Sequence, residues 1–139
     1  MNELMSWQEC ESKHIRKVSL DPERRKSIKE LAIKRWDFVK TLPVKDDNIS
    51  FIFDDYYEVI KELLVALMLQ HGMRSKNHQC LFTFFAREYN YEAEVNVIKQ
   101  MSFLRNRLEY YGEAVNPNYF KQNSKNFEAI IKLLIKQIK

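Results

Sequence analysis

The sequence predicts an all-α protein, an up-and-down antiparallel bundle of about five to six helices. Three observations carry this. Only two Gly and three Pro occur in 139 residues, too few for the many turns of a β-sandwich. The apolar share is 45% and the charged share 30%, a balance that fills a core and solvates a surface. Apolar residues recur at steps of three and four over long stretches, and the few breakers fall between those stretches.

The elements follow in order. Ser6 and Glu9 have the spacing of a capping box, flanked by Met5 and Cys10 as a hydrophobic staple, and open a first helix over about residues 7–18. Asp21-Pro22 joins an N-cap to a proline at the first helical position. The helix of residues 21–42 carries Ile28, Leu31, Ala32, Arg35, Val39 and Leu42 inward and stops at Pro43. A polar loop precedes a helix over residues 51–71 with two apolar stripes. One is Ile52, Tyr56, Val59, Ile60, Leu63 and Leu67; the other is Phe53, Tyr57, Leu64 and Met68. Two stripes imply burial on two sides, hence the central helix, and Gly72 is placed to close it.

A loop through Arg74 and Ser75 leads to a helix over residues 77–88, with Leu81, Phe84 and Phe85 inward. Asn90 is expected to cap a fifth helix, residues 91–111, with Val97, Met101, Leu104, Leu108 and Tyr111 on its core side and Gly112 at its end. Asn116-Pro117 opens the last helix, residues 117–138. Short connections favour antiparallel neighbours, and the length suits one domain, residues 1–139.

Composition limits the function. Net charge is +4, too weak by itself to indicate nucleic-acid binding. The charge is uneven: residues 1–70 hold 12 basic and 13 acidic side chains, residues 71–139 hold 11 and 6. An anionic partner is therefore expected to meet the second half. Cys10 and Cys80 lack zinc-ligand spacing and are expected to be ordinary thiols in a reducing cytoplasm. No apolar run has membrane-spanning length, and Met1-Asn2-Glu3-Leu4 does not resemble a signal peptide. A cytoplasmic protein without membrane contact is expected.

The segment Ser102-Phe103-Leu104-Arg105-Asn106-Arg107-Leu108-Glu109-Tyr110-Tyr111-Gly112 concentrates the polar chemistry. Helical spacing stacks Asn106 over Tyr110 and Arg107 over Tyr111. Two guanidinium forks with an amide between them suit a phosphate. The same arginines are equally placed for internal ion pairs with Glu109, or with Glu58 or Glu62 on the central helix. Phe103 and Tyr110 lie off the core stripe, where they suit a dimer seam, a base-stacking platform or packing within the chain. His78 is a candidate proton carrier from another helix, or a capping or packing residue. Asp54, Glu58 and Glu62 at i, i+4, i+8 suit a hard cation less well than they suit the arginines as counter-charges; no metal and no cofactor is expected. The last helix has a lysine face (Lys121, Lys125, Lys132, Lys136, Lys139), and Arg24, Arg25, Lys26 and Lys29 form a basic turn. Either suits an RNA backbone or simple solvation.

Asp55 to Leu64, Gly72 to His78 and Leu104-Arg105-Asn106-Arg107 with Tyr110-Tyr111-Gly112 together resemble the HEPN superfamily (higher eukaryote and prokaryote nucleotide-binding), in its small stand-alone prokaryotic form, over about residues 50–138. The resemblance implies an all-α bundle, commonly a homodimer. It implies either a metal-independent endoribonuclease of toxin or defence type, a silent partner of a nucleotidyltransferase-type protein, or an RNA-binding module. Active members carry an arginine, a polar residue after it, and a histidine four to six residues on. Arg105 and Asn106 match the first two. The histidine position falls on Tyr110 or Tyr111, whose hydroxyl titrates near 10 and is a poor base at neutral pH. The expected function is therefore RNA or nucleotide binding through Arg105, Asn106, Arg107, Tyr110 and Tyr111, with little or no catalysis. An active ribonuclease using Arg105, Asn106 and His78 or Tyr110, and a dimeric scaffold whose arginines only pair with Glu58, Glu62 and Glu109, are the alternatives.

Overall fold

Six helices and one two-stranded ladder build the chain, in a computed structural model that describes residues 3–139. The elements are α1 (Trp7–Lys13), β1 (Ile15–Lys17), α2 (Pro22–Lys40), α3 (Ile49–Gln70), β2 (Met73–Ser75), α4 (His78–Tyr89), α5 (Glu92–Tyr111) and α6 (Pro117–Gln137). The all-α bundle expected from the composition is what forms. Met1 and Asn2, on which the signal-peptide reading partly rests, lie outside the described residues. Among the described residues no helix is long and apolar enough to cross a membrane.

Local chemistry sets most helix ends. Ser6 Oγ accepts the Glu9 amide at 3.2 Å, and Asp21 Oδ1 accepts that of Arg24 at 3.1 Å. Asn77 and Asn116 cap α4 and α6 in the same way. Gly72 follows α3 in the left-handed conformation (φ +72°), and it is this backbone angle that favours glycine there.

Four local expectations differ. The first helix ends at Lys13 rather than near Val18, because Ile15–Lys17 pair antiparallel with Met73–Ser75, in the segment expected to be a loop. The Val18 amide extends that pairing to the Gly72 carbonyl at 2.9 Å. In α2 the buried residues are Ala32, Trp36 and Val39, while Leu31 is exposed. The inward face is thus rotated so that the larger indole fills the core. Asn90 does not cap α5: it ends α4 in the left-handed conformation (φ +56°), donating its amide to the Ala86 carbonyl. Tyr111, assigned to the core stripe of α5, is exposed, and Ile98 and Ser102 are buried instead.

α3 is the centre. Both of its stripes are buried, and it packs against α2, α4, α5 and α6. The hydrogen bonds fix directions. Ser50 accepts the Val115 amide at 2.9 Å, and Gln70 donates to the Gln137 carbonyl at 3.1 Å, so α6 runs parallel to α3. α5 runs antiparallel to both, with Arg105 near Asp54 and Tyr91 near Gln137. α4 begins beside Tyr57 and ends beside His71, so it runs parallel to α3 and not antiparallel as the short connection predicted, because β2 carries the chain back along α3 before α4 starts. That return brings His78 to the middle of the bundle.

Cys10 and Cys80, expected as free thiols, form a disulfide with Cα atoms 5.5 Å apart. It ties α1 to α4, and both residues are fully buried.

Candidate polar site between α3, α4 and α5

Arg105 leaves the inner side of α5 and reaches α3. Its Nε lies 3.5 Å from Asp54 Oδ1 and its Nη2 3.7 Å from Glu58 Oε1. Glu58 is shared with Lys61, 2.7 Å away. The guanidinium also lies 5.6 Å from the ring centre of Tyr57, within cation–π range. The Tyr57 hydroxyl is 3.0 Å from His78 Nδ1 and 3.5 Å from Ser102 Oγ. Three helices thus converge on a half-buried cluster: Asp54, Tyr57, Glu58 and Lys61 from α3, His78 from α4, and Ser102 and Arg105 from α5.

The electrostatics follow from that placement. Burial, followed by the charge of Glu109, raises the Asp54 carboxyl above its ordinary range, and Arg105 only partly offsets this. Burial also raises Tyr57, against the Ser102 hydrogen bond and Arg105. His78 is pushed down from 6.5, by burial first and then by Lys61 and Arg105, so its ring is neutral at neutral pH. The neutral ring shares a hydrogen bond with the Tyr57 hydroxyl, its direction set by the ring's tautomer. The two carboxylates balance Arg105 and Lys61, which leaves the cluster close to neutral.

The sequence candidates separate into three groups. Arg105, Glu58 and His78 come together. Arg107 turns away: it forms a two-pronged ion pair with Glu113, beyond the end of α5, and its guanidinium stacks 4.3 Å from the ring centre of Tyr111. The two forks therefore do not converge on one phosphate, and each is already held by carboxylate. Asn106, Tyr110 and Tyr111 are exposed, with Tyr110 at 75% and Tyr111 at 68%.

Two expected counter-charges are corrected. Glu62 pairs with Arg35 of α2 at 2.9 Å, not with Arg105, because it lies on the α2 side of α3. Glu109 is exposed and makes no ion pair among the described residues, because Arg105 points to α3 rather than along its own helix. Asp54 and Glu58 are engaged by Arg105, and no group of three metal-ligating side chains occurs among the described residues. The lysines of α6 form an exposed face opposite Phe127, Ile130, Ile131 and Leu134.

Tyr57, Lys61 and Ser102 were not singled out from the sequence. Tyr57 lies in an apolar stripe and is indistinguishable there from a core residue. Ser102 carried a signal: it is a small hydroxyl beside Met101 on the buried side of α5.

Compared with protein-family models, curated proteins and solved structures, the chain has no significant match to any.

Proposed function

We propose that the chain is a HEPN-like, RNA-binding protein with little or no catalytic activity. The observation that carries this reading is the outer face of α5. Phe103, Asn106 and Tyr110 follow one another at i, i+3 and i+7 and are all exposed. Tyr111 lies beside them with Arg107 stacked on its ring. Exposed aromatics alternating with an amide and a guanidinium suit unstacked bases, which bind aromatic faces and offer hydrogen-bonding edges. The same face suits a second copy of the chain, in keeping with the homodimer that the family resemblance implies, or a nucleotidyltransferase-type partner.

The test is binding of a labelled single-stranded RNA in EDTA. Salt-sensitive binding without cleavage is expected. Tyr110→Ala should weaken it by the loss of one stacked base, about 1–3 kcal/mol. Unchanged affinity in Tyr110→Ala refutes the platform.

A second reading has one observation in its favour. His78, neutral and bonded to Tyr57 under Arg105, supplies the proton carrier that Tyr110 cannot. In that reading the protein is a metal-independent endoribonuclease, and Arg105 stabilises the scissile phosphate. Cleavage that persists in EDTA and disappears in both His78→Ala and Arg105→Ala would favour it.

A further inference from the structure

The β1–β2 ladder places Arg16 directly across from Arg74. Directly opposed residues of an antiparallel pair share a face, and like charges there repel. The register is held on both sides by Ile15–Ser75 and Lys17–Met73, so the arginines cannot slip apart without moving every neighbour to the other face. Neither arginine has an ion-pair partner among the described residues.

A cavity of about 470 Å³ opens at this ladder. Lys13, His14 and Arg16 line one wall; Arg74, Ser75 and Lys76 line the other. No carboxylate lines it. Four permanent cations face one space, and among the described residues the one ion pair they make is Lys13 with Glu9, 4.0 Å apart and exposed, of little energetic weight. The cavity thus concentrates four positive charges in a chain of only +4 net.

We propose that this cavity binds a di- or triphosphate group. A single phosphate carries at most about two negative charges at neutral pH, so two or three joined phosphates are needed to match four cations. Arginine forks opposed across a ladder offer paired donors to successive phosphates, and the Ser75 hydroxyl adds a neutral donor. No Phe, Tyr or Trp lines the walls, so recognition is of the phosphate chain and not of a base. The Cys10–Cys80 bond joins α1 and α4, the helices from which the two walls issue, and holds them at a set separation before any ligand arrives. The phosphate chain has two sources, inorganic pyrophosphate or a free nucleoside triphosphate.

The experiment is calorimetric titration of the full oxidised chain with pyrophosphate, with ATP in EDTA, and with orthophosphate, at physiological salt. Pyrophosphate and ATP are expected to bind, and orthophosphate about tenfold or more weaker. Equal affinities for pyrophosphate and ATP identify the phosphate chain alone as the ligand; tighter ATP binding identifies a nucleotide. Arg74→Ala should weaken both about tenfold or more. Without ligand it should melt at or above the wild-type temperature, since it removes the opposed charge. Should that variant fail to fold, Lys76→Gln, an exposed position outside the ladder, gives the same reduction in binding. Absence of pyrophosphate and ATP binding at about 1 mM overturns the proposal, as does binding unchanged in both variants or retention of single-stranded RNA alone. The Tyr110→Ala measurement reads the α5 face separately, so failure of one site is distinguishable from failure of the other.

Discussion

Replacing Arg105 with alanine removes the cation that, among the described residues, holds α5 to the acidic side of α3. At 3.5 and 3.7 Å from Asp54 and Glu58, each contact is worth about 4 kcal/mol in Coulomb energy at an effective dielectric near 20. Most of that is offset by the cost of desolvating the three groups and by residual solvent, since the Arg105 side chain keeps 21% of its exposure. Exposed pairs contribute about 0.2–1 kcal/mol, and breaking a buried pair costs about 3–5 kcal/mol. An intermediate pair with two partners should cost about 2 kcal/mol. With an unfolding entropy of about 0.3 kcal/mol/K for a chain of this size, Tm falls about 7 °C.

The loss should depend on pH in a stated direction. The Asp54 carboxyl is already raised by burial and Glu109, and Arg105 is what lowers it. Without Arg105 it rises further. A carboxyl raised in the folded state costs stability when ionised and takes up a proton as pH falls, which relieves that cost. The deficit of Arg105→Ala should therefore be largest at neutral pH and shrink toward pH about 4. The assay is thermal unfolding by circular dichroism, wild type beside variant, at both pH values. An unchanged Tm at neutral pH, or a deficit equal at both, would refute the reasoning.

Three further outcomes follow from particular residues. Reducing the Cys10–Cys80 disulfide, which spans 70 positions of chain, should lower stability by up to about 4 kcal/mol through the freed denatured state; coincident melts with and without reductant, or two free thiols by mass, would contradict it. The His78 imidazole should titrate below 6.5 by NMR and move up in Lys61→Ala. Its contribution to stability is present above the unfolded value and lost as pH falls through the folded one, so a midpoint at or above 6.5 would be contrary. Gly112→Ala should cost only the left-handed backbone penalty, about 1 kcal/mol, because nothing lies within 4 Å of the added Cβ. Gly72→Ala should cost about the same, since its Cβ would sit at ordinary contact, 3.4 Å, from the Val18 carbonyl oxygen; a urea midpoint far below that of Gly112→Ala would be inconsistent with that spacing.

Features that depend on neighbours a few residues apart could be read directly from the chain. Ser6, Asp21-Pro22, Asn77 and Asn116-Pro117 satisfy amide groups of their own first turns, so the helix starts are legible in the chain. The two stripes of α3 identify the central helix because a helix apolar on two sides has nowhere to be but inside. The stacking of Arg107 on Tyr111 was also legible, since the two lie one turn apart on one helix.

Contacts between distant partners were settled by the packing of the helices. Ile15–Lys17 continue a helical pattern until Met73–Ser75 offer them a ladder. Cys10 and Cys80 carry no local sign of pairing, and they meet because α1 packs on α4. Four carboxylates, Asp54, Glu58, Glu62 and Glu109, were open to Arg105 by residue type, and the placement of α5 against α3 selected Asp54 and Glu58 and left Glu62 to Arg35. His78 joined that cluster because β2 returned the chain beside α3. Helix starts are local hydrogen-bond problems that a short segment solves alone; ion pairs, disulfides and cavities are contacts across the fold, and their partners are chosen only when the helices settle against one another.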